Sequence, residues 1–233
     1  MSATVNDKNN QRVGSVQDLI LNLVTRHVDY LMVRTDSAAH PTSAPDLEVT
    51  PAPNYNVVSW QAVTGILGNA ITLNVDAAAV SGAPVLETRA VPFLTPSDWK
   101  ATFDSYWKKN LPASTNPATT TVTKPAAIPG GISGYLVASD ILGQNLQTPN
   151  GQQIGAAKDL LVNVKTGDVA YLLVTSGPAV QAGQKLIPVP LQLLGHNLES
   201  GAFTLPIPSS VLNLAPSIDL NNLPASAADW MNT

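Results

Sequence analysis

The strongest constraint on this chain is an internal repeat. Residues 13–33, VGSVQDLILNLVTRHVDYLMV, align without a gap against residues 154–174, IGAAKDLLVNVKTGDVAYLLV, at a spacing of 141. Nine of the 21 positions are identical: Gly14/Gly155, Asp18/Asp159, Leu19/Leu160, Asn22/Asn163, Thr25/Thr166, Val28/Val169, Tyr30/Tyr171, Leu31/Leu172 and Val33/Val174. Most of the others exchange one aliphatic residue for another. A repeat of this kind means that one supersecondary unit is used twice. The match resumes with VVSWQAV (57–63) against PVPLQLL (188–194), where the spacing falls to 131 and so places an insertion in the first copy, within residues 36–54. AITLNV (70–75) then faces AFTLPI (202–207), and SDW (97–99) faces ADW (228–230). The chain divides accordingly into a first unit, 1–110, a linker rich in Pro, Thr and Ala, 111–131, and a second unit, 132–233.

Within each copy the local signals are those of short strands. Residues 156–164 and 169–175 are rich in Val and Leu and flank Lys165-Thr166-Gly167-Asp168, a hairpin with turn chemistry at its centre. In the first copy Arg26-His27 replace Gly167-Asp168, which predicts an exposed turn for His27. Further strands are expected at 57–60, 70–75, 185–189 and 202–207. Pro188, Pro190, Pro206 and Pro208 cannot donate ladder hydrogen bonds and mark edges or strand ends. A candidate strand at 135–138 precedes the second copy and has no counterpart at the same spacing in the first. The reading is that the first unit has lost a strand, or that the chain was cut to this length after an export signal or anchor. Thr95-Pro96-Ser97-Asp98 offers an N-cap, a proline at the first helical position and an acid in the first turn, and so predicts a helix. Its Trp99, Phe103 and Trp107, at i, i+4 and i+8, form one aromatic stripe. The second copy has only a stub of this helix, at 225–233.

The block G-x-x-x-D-L-hydrophobic-hydrophobic-N, then T-G, then V-x-Y-L-hydrophobic-V, resembles the signature of the PRC-barrel family. The segment PVPLQLL resembles the strand and turn that follow it there. The first copy departs from the pattern: His27 stands for the turn acid, Ser59-Trp60 stand for Pro190-Leu191, and the loop is longer. The resemblance implies a mainly β fold of two tandem small antiparallel β-barrels, PRC-barrel-like, each followed by a short C-terminal helix. The family is similar to the cytoplasmic domain of the photosynthetic reaction-centre H subunit and to the C-terminal domain of a ribosome maturation factor. Its members act in protein assembly or contact, so the implied role rests on fold analogy.

Composition narrows the chemistry. Charged residues make up 12% of the chain, about half the usual share of roughly 25%. The net charge is −4 and no basic cluster is present, which argues against nucleic acid as a partner. The absence of cysteine removes disulfides, thiolate nucleophiles and Cys-based metal sites. His27, His40 and His196 lack the spacing that zinc favours, and each reads as a solvent-facing loop residue. The acids Asp36, Asp46 and Glu48 lack the spacing of a calcium loop. There is no G-x-S-x-G and no phosphate-binding loop. The expectation is therefore a non-enzymatic protein with no catalytic, cofactor-binding or metal-ligating residues and no cofactor.

The candidate interaction residues are Trp99, Phe103, Trp107 and Trp60. The aromatic stripe either docks on its own barrel or serves a partner. Asp18, Asp159, Asn22 and Asn163 are the candidate structural polar residues. Each acid would fix a local backbone amide, with a binding carboxylate as the alternative, and each Asn would support the hairpin turn. Gly14 and Gly155 are expected to supply a bend or bulge. The partner implied is a protein of unknown identity, with a membrane-associated complex and a homo-oligomer both left open. The alternative is a small ligand held in a pocket between the barrels, lined by Tyr30, Tyr171 and Trp60. Low charge, absent cysteine and the Thr/Pro linker favour an extracytoplasmic or envelope-associated location, with the cytoplasm left open.

Overall fold

The computed structural model describes residues 3–36, 54–87, 98–112, 134–176, 186–197 and 200–218. The insertion in the first copy, most of the linker, the helix cap at 95–97 and the stub at 225–233 lie outside these residues. The fold is mainly β, with two sheets and a few short helices. The first unit contributes β1 (Thr4–Asn6), β2 (Arg12–Asn22), β3 (His27–Thr35), β4 (Asn54–Ser59), β5 (Val63–Leu67), β6 (Ala70–Leu73), α1 (Ala77–Ser81), β7 (Val85–Glu87) and α2 (Asp98–Asn110). From the second come β8 (Tyr135–Val137), α3 (Ala138–Ile141), β9 (Asn145–Gln147), β10 (Gln153–Val162), β11 (Val169–Ser176), β12 (Leu186–Pro190), β13 (Gly195–Asn197), β14 (Ala202–Thr204) and α4 (Ser209–Leu214).

The repeated segments are the central hairpins, β2–β3 and β10–β11, and their registers coincide at the spacing of the sequence repeat. Asp18 faces Met32 and Asp159 faces Leu173; Leu19 faces Leu31 and Leu160 faces Leu172. Both hairpins carry irregularities at matching places, just before Asp18 and Asp159 and again at Ile20/Leu21 and Leu161/Val162. These bulges bend the long strands and re-aim the side chains beside them. Gly14 and Gly155 adjoin the expected irregularity, since the ladders to β1 and β9 skip Val13 and Ile154, and they also permit a close approach. A Cβ there would lie 2.2 Å from the Arg34 carbonyl oxygen and 1.9 Å from that of Thr175. Only glycine lets the paired backbones approach this closely.

Each unit carries a short strand that sequence reasoning missed, β1 in the first and β9 in the second, and neither is the counterpart of the strand at 135–138. Val5 of β1 pairs with Gly14 as Leu146 of β9 pairs with Gly155, and β1 and β9 run parallel to β6 and β14 respectively. The candidate strand at 135–138 forms as β8, yet it joins the other sheet. It pairs antiparallel with β2, Ile20 facing Val137, Leu21 facing Leu136 and Asn22 facing Tyr135.

Closed barrels were expected; among the described residues the hydrogen-bonded ladders form no closed ring. They follow open paths, β5-β6-β1-β2-β3-β4-β7 with β8 added on β2, and β12-β11-β10-β9-β14-β13. Two 3-10 turns, Trp60–Ala62 and Leu191–Leu193, interrupt the path between β4 and β5 and between β12 and β13. Each turns the chain after β4 or β12 and engages the next backbone amide: Val63 N–H donates to the Trp60 carbonyl and Leu194 N–H to that of Leu191. The strands that follow are left to pair with β6 and β14 alone among the described strands. β12, which holds Pro188 and Pro190, is an edge strand, where a missing donor is tolerated. The interior is a single apolar cluster that crosses both units, with Ile20, Leu21, Leu31, Leu136, Leu146, Leu172 and Leu205 fully buried.

Candidate interaction site

The two units meet at the tips of their central hairpins. Val28 N–H donates to the Gly167 carbonyl at 2.9 Å, and Val169 N–H donates to the Arg26 carbonyl at 2.7 Å. Val28 and Val169 are repeat partners, as are Arg26 and Gly167, so exchanging the units maps one bond onto the other. Such a contact has the character of an isologous interface. The turns are built to permit it: Arg26 has φ 58° and Gly167 φ 81°, both left-handed. Arg26 Nη1 also donates to Gln192 Oε1 at 2.8 Å.

His27 is the residue that sequence reasoning misplaced. It begins β3, it bridges to Asp168, and its side chain is 26% exposed. Nδ1 lies 3.0 Å from Asp29 Oδ1, and Nε2 lies 2.6 Å from the Thr166 carbonyl. Both partners only accept, so both ring nitrogens serve as donors and the imidazolium is favoured. Burial opposes that charge, but the bond to Asp29, the bond to Thr166 and the nearby acids outweigh it and raise the His27 pKa. For Asp29 burial again opposes ionisation. The hydrogen bonds from His27, Asn22 and Tyr135 prevail and lower its pKa.

Asn22 and Tyr135 extend this network across the joint. Asn22 Nδ2 donates to Asp29 Oδ2 at 3.1 Å and to the Tyr135 hydroxyl at 3.0 Å, and that hydroxyl donates to Asp29 Oδ2 at 2.9 Å. Asn22 Oδ1 accepts from Val24 and Thr25 N–H, and Asn163 Oδ1 accepts from Lys165 and Thr166 N–H at the equivalent turn. Asp18 Oδ1 accepts from Leu19 N–H at 2.8 Å and from Ser139 N–H, in the first turn of α3, at 3.2 Å. Asp159 Oδ1 accepts from Leu160 N–H at 2.8 Å. Asp140, beside Asp18, has its pKa raised by burial and then by that neighbouring charge.

The aromatic residues proposed for a partner are engaged within the chain. Phe103 and Trp107 are buried, and Trp107 Nε1 donates to the Val57 carbonyl at 2.7 Å. Trp99 is half-buried, with its ring 5.1 Å from Tyr135, 5.3 Å from Phe103 and 6.0 Å from Tyr30. The Tyr30 hydroxyl donates to Asp104, which also pairs with Lys100. Burial, followed by the acidic neighbours, pushes the phenol pKa of both Tyr30 and Tyr135 upward. Trp60 is buried too, and a Cβ on Gly167 would meet its Nε1 at 2.6 Å. Its partner is the hairpin of the other unit. Tyr30 and Trp60 are thus both buried and engaged within the chain. A groove of about 440 Å³ lies on the first unit, between Asp76 and Ala79 near α1 and Tyr106 and Asn110 on α2, with Lys8 at its rim.

Residues 135–212 match the family model of the PRC-barrel domain. The chain contains a PRC-barrel domain. The stretch matched begins with β8, the strand seated on the first sheet, so the PRC-barrel domain lends its leading strand to its neighbour. No curated protein matches the chain. Among the described residues no group of three or more His, Asp or Glu is placed to hold a metal ion. No helix among them is long and apolar enough to cross a membrane.

Proposed function

We propose that this protein is a non-enzymatic tandem PRC-barrel-like module for protein interaction or assembly, associated with the cell envelope or a membrane complex. The observation that supports this reading is the docking of β8 and α3 on the first sheet. An extended segment adds to the edge of β2, Asp18 accepts from the first turn of its short helix, and Asn22 with Asp29 grips its tyrosine hydroxyl. Main-chain pairing supplies affinity and side-chain contacts supply selectivity, which is how sheet edges recognise polypeptides. Asp18, Asn22, His27 and Asp29 are bonded to each other, to Tyr135 and to backbone, which fits a structural use of these side chains.

The test is site-specific photo-crosslinking of the full chain in envelope and membrane fractions, followed by reconstitution with the purified partner. A stoichiometric complex is the expected result. A protein that stays monomeric and crosslinks to nothing in any fraction would defeat the reading.

A further inference from the structure

The two units keep the same receptor residues, and among the described residues only one set is filled. In the first unit β1 covers the early part of one edge of β2, and β8 continues along it at Ile20, Leu21 and Asn22. In the second, β9 covers the early part of the same edge of β10, and among the described residues no strand continues along Leu161, Val162 and Asn163. Leu23 N–H donates to the Gly134 carbonyl at 3.0 Å, whereas its counterpart, Val164 N–H, has no acceptor among the described residues. Burial differs in step: Ile20 and Leu21 are fully buried, Leu161 and Val162 are half-buried, and Val164 is 50% exposed. Asp18 holds the Ser139 amide as well as its own neighbour's, and Asp159 holds its own neighbour's alone. Asn22 Nδ2 grips Tyr135, and Asn163 Nδ2 has no bond among the described residues. Asp and Asn are thus repeated at positions where only the first copy uses them on a docked segment.

We propose that the β10 edge at Leu161, Val162 and Asn163, with Asp159 beside it, is a docking site for an extended strand of the Tyr-Leu-Val-Ala-Ser type supplied by another protein. The incoming strand runs antiparallel to β10, its aliphatic residue opposite Val162 and its tyrosine opposite Asn163. The first turn of a short helix then presents an amide to Asp159. The site is continuous with the contact between the units, because Asn163 N–H donates to Asp168 within the hairpin whose Gly167 carbonyl accepts from Val28. Ala170 replaces Asp29, so the tyrosine hydroxyl finds one side-chain partner here where Tyr135 finds two. The site therefore tolerates phenylalanine better than the β2 edge does. This inference rests on the interaction reading and gives it a surface and a ligand chemistry.

The probe is a labelled peptide copying residues 134–142, GYLVASDIL, titrated by anisotropy against the full chain, with hydrogen exchange to place it. The expected result is saturable binding with new protection at the Val162 and Val164 amides. N-methylating the peptide's leucine, which leaves the protein untouched, weakens binding about tenfold by removing a ladder bond. Asp159→Ala weakens it severalfold. No binding, binding indifferent to N-methylation, or protection at Leu21 and Leu23 through displacement of β8 would each overturn the proposal. So would a Val164 amide already protected in the free protein, either by a distant part of the same chain or by a second copy in a dimer. A partner that crosslinks elsewhere on the molecule while the peptide fails would sink this site and leave the interaction role standing.

Discussion

His27 spends both ring nitrogens on acceptors at the joint between the units, and its titration is therefore tied to stability. Its pKa is raised on folding, so its contribution is complete below the ordinary value of 6.5 and fades as pH climbs through the raised one. For Asp29 the pKa is lowered, so its contribution is complete above 3.8 and fades as pH falls through the lowered value. Urea midpoints measured across pH should peak between these limits, and His27→Gln should flatten the alkaline side. Losing the charged bonds at His27 costs about 2 kcal/mol at pH 6. Gly167 offers a second test. Gly151, at φ 82° with open space around it, should tolerate alanine at a cost of about 1 kcal/mol. Gly167→Ala should cost clearly more, because its Cβ would also strike Trp60 and His27 at 2.6 and 2.7 Å. The turn glycine was legible from its Lys-Thr-Gly-Asp context. The role of His27 was not, because its partners are Asp29 and a carbonyl 139 residues away, and a single sequence carries no sign of that approach.

Among the elements, α2 was legible in its stripe, because i, i+4, i+8 spacing forces Trp99, Phe103 and Trp107 onto one face. Which partner that face meets was not, since an apolar stripe fits its own sheet and a foreign one equally. The structure seats it on β4 through the Trp107 indole and on Tyr30 and Tyr135 through Trp99 and Phe103. Phe103→Ala should cost about 3–5 kcal/mol by opening a cavity. Trp107→Phe should cost about 2 kcal/mol, mainly by orphaning the buried Val57 carbonyl. Thermal melts of both variants, with Lys108→Ala as an exposed control on the same helix, separate these terms. The central hairpins were found close to their ends because their pattern is dense in Val and Leu. Three-residue strands such as β1, β7, β9 and β13 escaped notice, since no periodicity develops over so short a run. The same shortness hid the pairing of β8, whose Tyr-Leu-Val suits either sheet.

At the scale of the whole molecule, the repeat identified two related halves but not the exchange of β8 or the common interior. One apolar cluster spanning both units predicts a single cooperative transition, with calorimetric and van't Hoff enthalpies in agreement. A fragment of residues 1–142, which keeps β8 and α3, should melt well above a fragment of residues 1–112, which lacks them and exposes the apolar edge of β2. The paired bonds from Val28 to Gly167 and from Val169 to Arg26 carry one more consequence. Between separate polypeptides such a contact would come apart on dilution, whereas a covalent tether holds its members at an effective concentration of about millimolar. This chain is in that sense a dimer with no dissociation constant. Its halves need not stay alike: the first carries β8 and an aromatic helix on its sheet, while among the described residues no strand lies along Leu161, Val162 and Asn163 of the second.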